Sequence, residues 1–287
     1  MTIPFVTKSP VPIASVPELV IEAGRVERQY WRDLWRYREL FYFLAWRDIL
    51  VRYKQTVIGV TWAVIRPILT MFALTFTFGR IAGLDSGGET PYPILVFCGM
   101  LPWQFFATAF SESGNSLVSN SGMISKIYFP RLVMPASSVI TSFVDFLISA
   151  VLMTLIMVYY GYVPGPAVVL LPVFVMLTFA TAFGAGLWVS ALMVRYRDFR
   201  YIIPFVVQFG LFISPVGYSS SRVPEEWRLL YSINPMVGVI DGFRWSILGE
   251  QNLYWPGFGI SVVAVMSVII SGIWYFRRTE RTFADVI

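Results

Sequence analysis

Histidine is absent from all 287 residues. That removes the commonest proton shuttle and metal ligand, and with them any Ser–His or Cys–His nucleophile system. A single cysteine, Cys98, lies inside an apolar run. An intrachain disulfide and a thiolate metal site are thereby excluded, and Cys98 reads as a small buried residue. Lysine is scarce: Lys8, Lys54 and Lys126 are the whole set, and none sits in a G-x-x-x-x-G-K-[ST] setting. The chain therefore has no loop of that kind to cradle phosphates, and any ATP it depends on is hydrolysed by another polypeptide. Charge is thin as well, at 14% of residues, with an apolar content of 56% and a mean hydropathy of +0.66. An ordinary soluble domain is excluded by those values. No signal peptide is expected, because residues 1–29 carry scattered prolines and charges without a continuous apolar core.

What the chain does have is six long apolar runs, near 57–83, 92–111, 132–160, 167–194, 201–218 and 255–276. Each approaches the ~20 residues with which a helix crosses a ~30 Å hydrocarbon core. The basic residues between them alternate in the way that sets orientation. Nine precede the first run: Lys8, Arg25, Arg28, Arg32, Arg36, Arg38, Arg47, Arg52 and Lys54. Lys126 and Arg131, then Arg195, Arg197 and Arg200, and finally Arg277, Arg278 and Arg281 fall at every second turn. The intervening turns near 84–91 and 161–166 contain no Lys or Arg, and Asp85 and Glu89 stand near Arg80 to offset it. Six crossings with both termini in the cytoplasm satisfy this pattern.

The stretch 219–254 is apolar enough in part to suggest a seventh crossing, but it carries Asn234-Pro235, Asp241 and Arg244. Such groups are costly at the bilayer centre. It is read instead as two short re-entrant helices, one opening at Pro224 and one at Asn234-Pro235. Residues 30–54 form a different element, with Trp31, Leu34, Trp35, Tyr42, Ala45, Trp46, Ile49 and Tyr53 at helical spacing and Arg32, Arg36, Arg47 and Lys54 largely elsewhere. Aromatics opposite basic residues suit a helix lying in the membrane interface, or one packed on a soluble partner.

Between the second and third runs the chain reads NSLVSNSGMISKIYFPRLVMP, residues 115–135. Asn120 or Ser121 can cap a short helix there, and Ile124, Ile127 and Tyr128 would form an apolar knob. The alternative is a plain basic turn. Intramembrane charge is concentrated in Arg66, Glu112 and Asp145. Arg66 lies nine residues inside Val57, ~13 Å along a helix, with Pro67 after it. It either pairs with Glu112, meets an anionic substrate headgroup, or snorkels to the lipid headgroups. Asp145 reads as an interhelical hydrogen-bonding group rather than the carboxylate of a proton-coupled transporter, since it stands alone on its span with no histidine to relay protons. Small residues, Gly79-x-x-x-Gly83 and Gly184 with Gly186, permit close helix approach.

In family order, the segments VRYKQTVIGVTWAVIRPILTM (51–71), PYPILVFCGMLPWQFF (91–106), ISKIYFPRLVMP (124–135), VRYRDFRYIIPF (194–205) and 214–245 resemble membrane subunits of ABC-2 type polysaccharide exporters, which handle O-antigen, capsule and teichoic acid chains. The resemblance implies an all-α polytopic membrane protein with six transmembrane helices, an interfacial helix over 30–54, and a transmembrane domain over 57–277. Segments 1–29 and 278–287 flank it. It implies a homodimer joined to two copies of a separate ATPase that binds ATP and Mg, with no cofactor, metal or catalytic residue in this chain and no nucleic-acid partner.

By the same analogy, Met123, Ile124, Ser125, Lys126, Ile127, Tyr128 and Phe129, within 119–130, seat on the ATPase. The segment 219–249, with Tyr218, Trp227, Asn234 and Asp241, gates the external mouth. The implied substrate is a polysaccharide on a polyprenyl diphosphate. Its path is expected to involve Trp62, Arg66, Phe106, Phe110 and Glu112, since aromatic faces stack on sugars without fixing register.

Three other readings compete. An ABC-2 exporter of another lipid or small molecule shares the architecture. A membrane-embedded transferase acting on lipid-linked sugars needs an acid/base cluster that Glu112, Asp145 and Asp241 do not supply in sequence. A secondary transporter with inverted repeats finds no internal symmetry here.

Overall fold

The structure, a computed structural model, describes residues 27–54, 57–86, 90–249 and 253–283. Expectations that involve residues 1–26, Glu89 and 284–287 lie outside the described residues. Among those described there is no strand.

The N-terminal element is two helices, α1 (Glu27–Arg36) and α2 (Arg38–Lys54), broken at Tyr37 next to the arginine that interrupts the apolar stripe. Leu44 and Ala45 of α2 are buried, whereas Trp31, Trp35, Tyr42 and Trp46 are exposed. Helix α3 (Val57–Leu74) runs through Pro67 and continues as a π-helix over Thr75–Ile81. Then follow α4 (Tyr92–Ser119), a single turn α5 (Ser121–Ile124), α6 (Val133–Tyr159) and α7 (Leu171–Arg195). After α8 (Phe199–Ile213) come α9 (Glu225–Tyr231), α10 (Pro235–Leu248) and α11 (Trp255–Glu280).

Five helical stretches among the described residues are long and apolar enough to cross a membrane: 61–81, α4, α6, 166–195 and α11. The fifth apolar run is the exception. It yields only the 15 residues of α8, about 22 Å of helix. Ser214 is extended (φ −88°, ψ 149°) because the following Pro215 disfavours helical backbone at the residue before it. Even so, α8 lies antiparallel along α4. Ile203 meets Gly114, Gly210 meets Trp103, and beyond the helix the Gly217 carbonyl accepts from the Tyr92 hydroxyl at 2.5 Å.

Helix α4 is the axis of the bundle. Of its apolar window 78% is buried, against 17–33% for the other four long helices, and it packs most extensively on α6 and α7. A lipid-facing surface is as apolar as a core, so burial of oil-like side chains does not by itself hold such helices together; close packing and polar pairs do. The glycines show where. A Cβ at Gly272 of α11 would stand 2.4 Å from the Gly184 carbonyl of α7, and one at Gly186 would stand 2.5 Å from the Ser113 hydroxyl of α4. The small residues of α7 therefore serve contacts within this chain. Gly79 packs on Tyr92, while Gly83 adopts φ +65°, a turn conformation that suits glycine.

Candidate functional site

The site is a cavity of about 310 Å³ between α2, α3, α4 and α6. Gln104, Thr108 and Glu112 enter from α4, Ser142, Asp145 and Ser149 from α6, Trp62 and Arg66 from α3, and Arg52 and Tyr53 from α2. Its charges are organised by Arg52. One guanidinium nitrogen donates to Glu112 at 2.6 Å and the other to Asp145 at 2.5 Å. Tyr53 donates to the second oxygen of Asp145. Burial and that carboxylate push the Tyr53 hydroxyl up, so it stays protonated and donates.

Of the three alternatives for Arg66, the pair with Glu112 is not formed. Glu112 is engaged from α2, because the last turn of that helix comes up beneath α4 and α6 and brings the fork of Arg52 between them. Among the described residues no carboxylate pairs with Arg66. Asp145 does form the interhelical hydrogen bonds foreseen for it, with α2 as the partner. Trp62, Arg66 and Glu112 are brought together, whereas Phe106 and Phe110 stack on each other inside the buried core. Arg52 and Tyr53 were missed as site residues. The readable signal for the cavity, though not for Arg52 and Tyr53, was the four-residue spacing of Gln104, Thr108 and Glu112, which places three polar groups on one face of α4.

The 120–131 loop lies at the end of the bundle that carries α1 and α2. Asn120 precedes α5 but does not cap it; its amide donates back to the Ser116 carbonyl at 2.8 Å and its oxygen accepts from Arg47 at 3.2 Å. Ile127 and Tyr128 are each 59% exposed, but Ile124, at 7%, and Phe129 are buried against Leu44, Leu117 and Val133. The knob is therefore Ile127 and Tyr128, with Ser125 and Lys126 beside them and Met123 half-buried. Behind it, the backbone N–H of Arg131 donates to the Glu280 carboxylate at 2.8 Å and the Arg131 guanidinium to the Glu280 carbonyl, bracing the loop on the end of α11.

At the opposite end, Asn234 caps α10 by accepting from the N–H of Met236 at 3.0 Å and donates to Ser214 at 3.0 Å. Tyr218 and Tyr231 share a hydrogen bond of 2.9 Å, and Trp227 is exposed. Arg244, fully buried, donates to the carbonyls of Val216 at 2.8 Å and Tyr218 at 2.6 Å. Enclosure raises the pKa of Asp241 one turn away, although Ser220, Arg244 and Arg228 pull it down. Asp85 pairs with Arg222, not with Arg80 as expected. The 220–222 turn brings Arg222 to Asp85. Among the described residues no metal-binding cluster occurs.

Long apolar helices around a polar cavity, with a braced apolar loop at the basic end, are the architecture of a polytopic membrane protein. Residues 39–248 match the ABC-2 type transporter family, and the chain belongs to it. It is 29% identical to the O-antigen export system permease protein RfbA of Myxococcus xanthus, across 89% of this chain and 98% of that protein. Two proteins of the same name from Klebsiella pneumoniae are 25% and 24% identical, each across 87% of this chain and 95% of theirs.

Proposed function

We propose that this chain is the channel-forming membrane subunit of an ATP-driven exporter that moves a lipid-linked polysaccharide, of O-antigen or capsule type, across the bacterial cytoplasmic membrane. The observation that carries the reading is the match along nearly the whole length of O-antigen export permeases. Two copies pair, and each receives an ATPase subunit that binds ATP and Mg. The exposed Ile127–Tyr128 knob suits that docking, since it is apolar, protrudes, and is held by α11 so that a push is transmitted to a spanning helix.

In this reading α8, with the extended 214–218 segment, is the sixth crossing. Its course along α4 supports that, and six crossings keep the arginine-rich ends of the chain together in the cytoplasm. Helices α9 and α10 are the re-entrant pair at the external mouth, where Tyr218, Trp227, Asn234 and Asp241 gate the exit. Sheltered by α4, α7 and α11, α10 keeps its polar groups away from lipid. Arg66, Trp62 and Glu112 then face the entering substrate, with Arg66 toward its diphosphate.

Deleting the gene in its native host tests the proposal. The expected result is lipid-linked glycan trapped on the cytoplasmic face, with surface glycan restored by the wild-type gene. Undiminished surface glycan in the deletion strain would sink the reading.

A further inference from the structure

Six polar side chains of α4 and α6 line the cavity. Gln104, Thr108 and Glu112 recur every four residues on α4, opposite Ser142, Asp145 and Ser149 on α6. Their span on α4 makes a polar track about 12 Å long. The Thr108 and Ser142 hydroxyls donate to carbonyls of their own helices, but ionisable groups such as Glu112 and Asp145 within spanning helices mark a site or a pathway, because lipid tails have no complement for them.

The charges in this track are balanced but not equivalent. Two guanidiniums, Arg52 and Arg66, face two carboxylates. Asp145 holds both Arg52 and Tyr53, and its side chain is 29% exposed. Glu112 holds Arg52 alone among the described residues, and its side chain is 47% exposed. The Glu112 end of the bridge is therefore the less enclosed one and rests on Arg52, whereas Asp145 has Tyr53 as a second partner. Among the described residues Arg66 has no carboxylate to leave.

We infer that this cavity is a diphosphate-headgroup site that loads by exchange. Arg66 takes one phosphate; Arg52 turns from Glu112 to the other, while Tyr53 and Asp145 keep the end of α2 on α6. Planar guanidinium forks suit phosphate oxygens, and two of them select a diphosphate over a monophosphate. A volume of about 310 Å³ sits at the low end of ligand pockets, ~300–1,000 Å³, enough for the headgroup with the lipid tail left outside. Identification of the ligand as a lipid diphosphate rests on the export reading; the exchange itself rests on the four charges.

The test is equilibrium binding of a polyprenyl diphosphate, its monophosphate and inorganic pyrophosphate to the full chain in nanodiscs. Arg52→Gln and Arg66→Gln should each weaken the diphosphate about tenfold. Glu112→Gln should tighten it about two- to fivefold, because the competitor for Arg52 is gone. That gain is one that misfolding cannot produce. Inorganic pyrophosphate should displace the lipid with the same order among variants.

Unchanged or weaker binding by Glu112→Gln would overturn the exchange. Equal affinity for monophosphate and diphosphate would overturn the two-cation site, and failure of pyrophosphate to displace the lipid would overturn headgroup recognition. Nucleotide-dependent export by wild-type vesicles is read alongside. Its absence removes the export reading, whereas its presence with an unresponsive Glu112→Gln removes the exchange alone.

Discussion

Arg244 occupies the space that a side chain at Gly99 would need: a Cβ there would stand 2.7 Å from the arginine's Nη2 and 2.9 Å from the Val216 carbonyl that it holds. A guanidinium buried in a membrane protein is tolerated here because it replaces water for carbonyls that the turn after α8 leaves without helical partners. Arg244 thereby pins residues 216–218 to α4 and α10.

Gly99→Ala should therefore destabilise the protein by about 1–3 kcal/mol, the usual result of overpacking. Arg244→Ala strands two carbonyls and should lose about 2–6 kcal/mol, at ~1–3 for each group. Thermal unfolding in detergent, followed by fluorescence, checks both.

The α7–α11 contact makes a second prediction. A Cβ at Gly272 meets backbone of α7, which cannot rotate away, so Gly272→Ala should lower stability by about 1–3 kcal/mol. Gly259 on the same helix has nothing within 4 Å of the added atom. Gly259→Ala should be neutral or gain up to ~1 kcal/mol from helix propensity.

At the basic end, Ile127→Asp with Tyr128→Asp should leave the fold intact and abolish the stimulation of ATPase activity by this subunit, since both side chains face outward. Ile124→Asp should behave differently. It places a carboxylate in the cluster around Leu44 and Leu117, and reduced yield of folded protein is expected from the burial of an unpaired charge. Yield on size-exclusion chromatography separates the two cases.

Arg66→Ala should lower export while the complex assembles normally, because the side chain lines the cavity and, among the described residues, pairs with no carboxylate. Surface glycan together with co-purification of the ATPase measures this. Normal export by the variant would remove Arg66 from the substrate path.

Much of this architecture is legible in one dimension. Apolar length alone locates α4, α6, α7 and α11, and Asn234-Pro235 announces the start of α10. What eludes the sequence is tertiary. Ile124 and Ile127 look alike on paper, and only the packing of α2 and α11 decides which of them is covered. Arg52 reads as one more basic residue of an interfacial helix until the fold brings it to Asp145, 93 positions away. Arg244 looks like a misplaced charge for want of the carbonyls that it serves. Pro215, in contrast, did carry the signal that ends α8 early.

In the proposed reading a separate motor, seated on the 125–128 knob, drives this subunit. The most direct measurement is purification of the chain from native membranes with quantification of what accompanies it. The account predicts an ATP-binding subunit in one-to-one ratio, lost from the Ile127→Asp, Tyr128→Asp variant. A chain that comes out alone and moves its lipid-linked glycan in vesicles without nucleotide would contradict it.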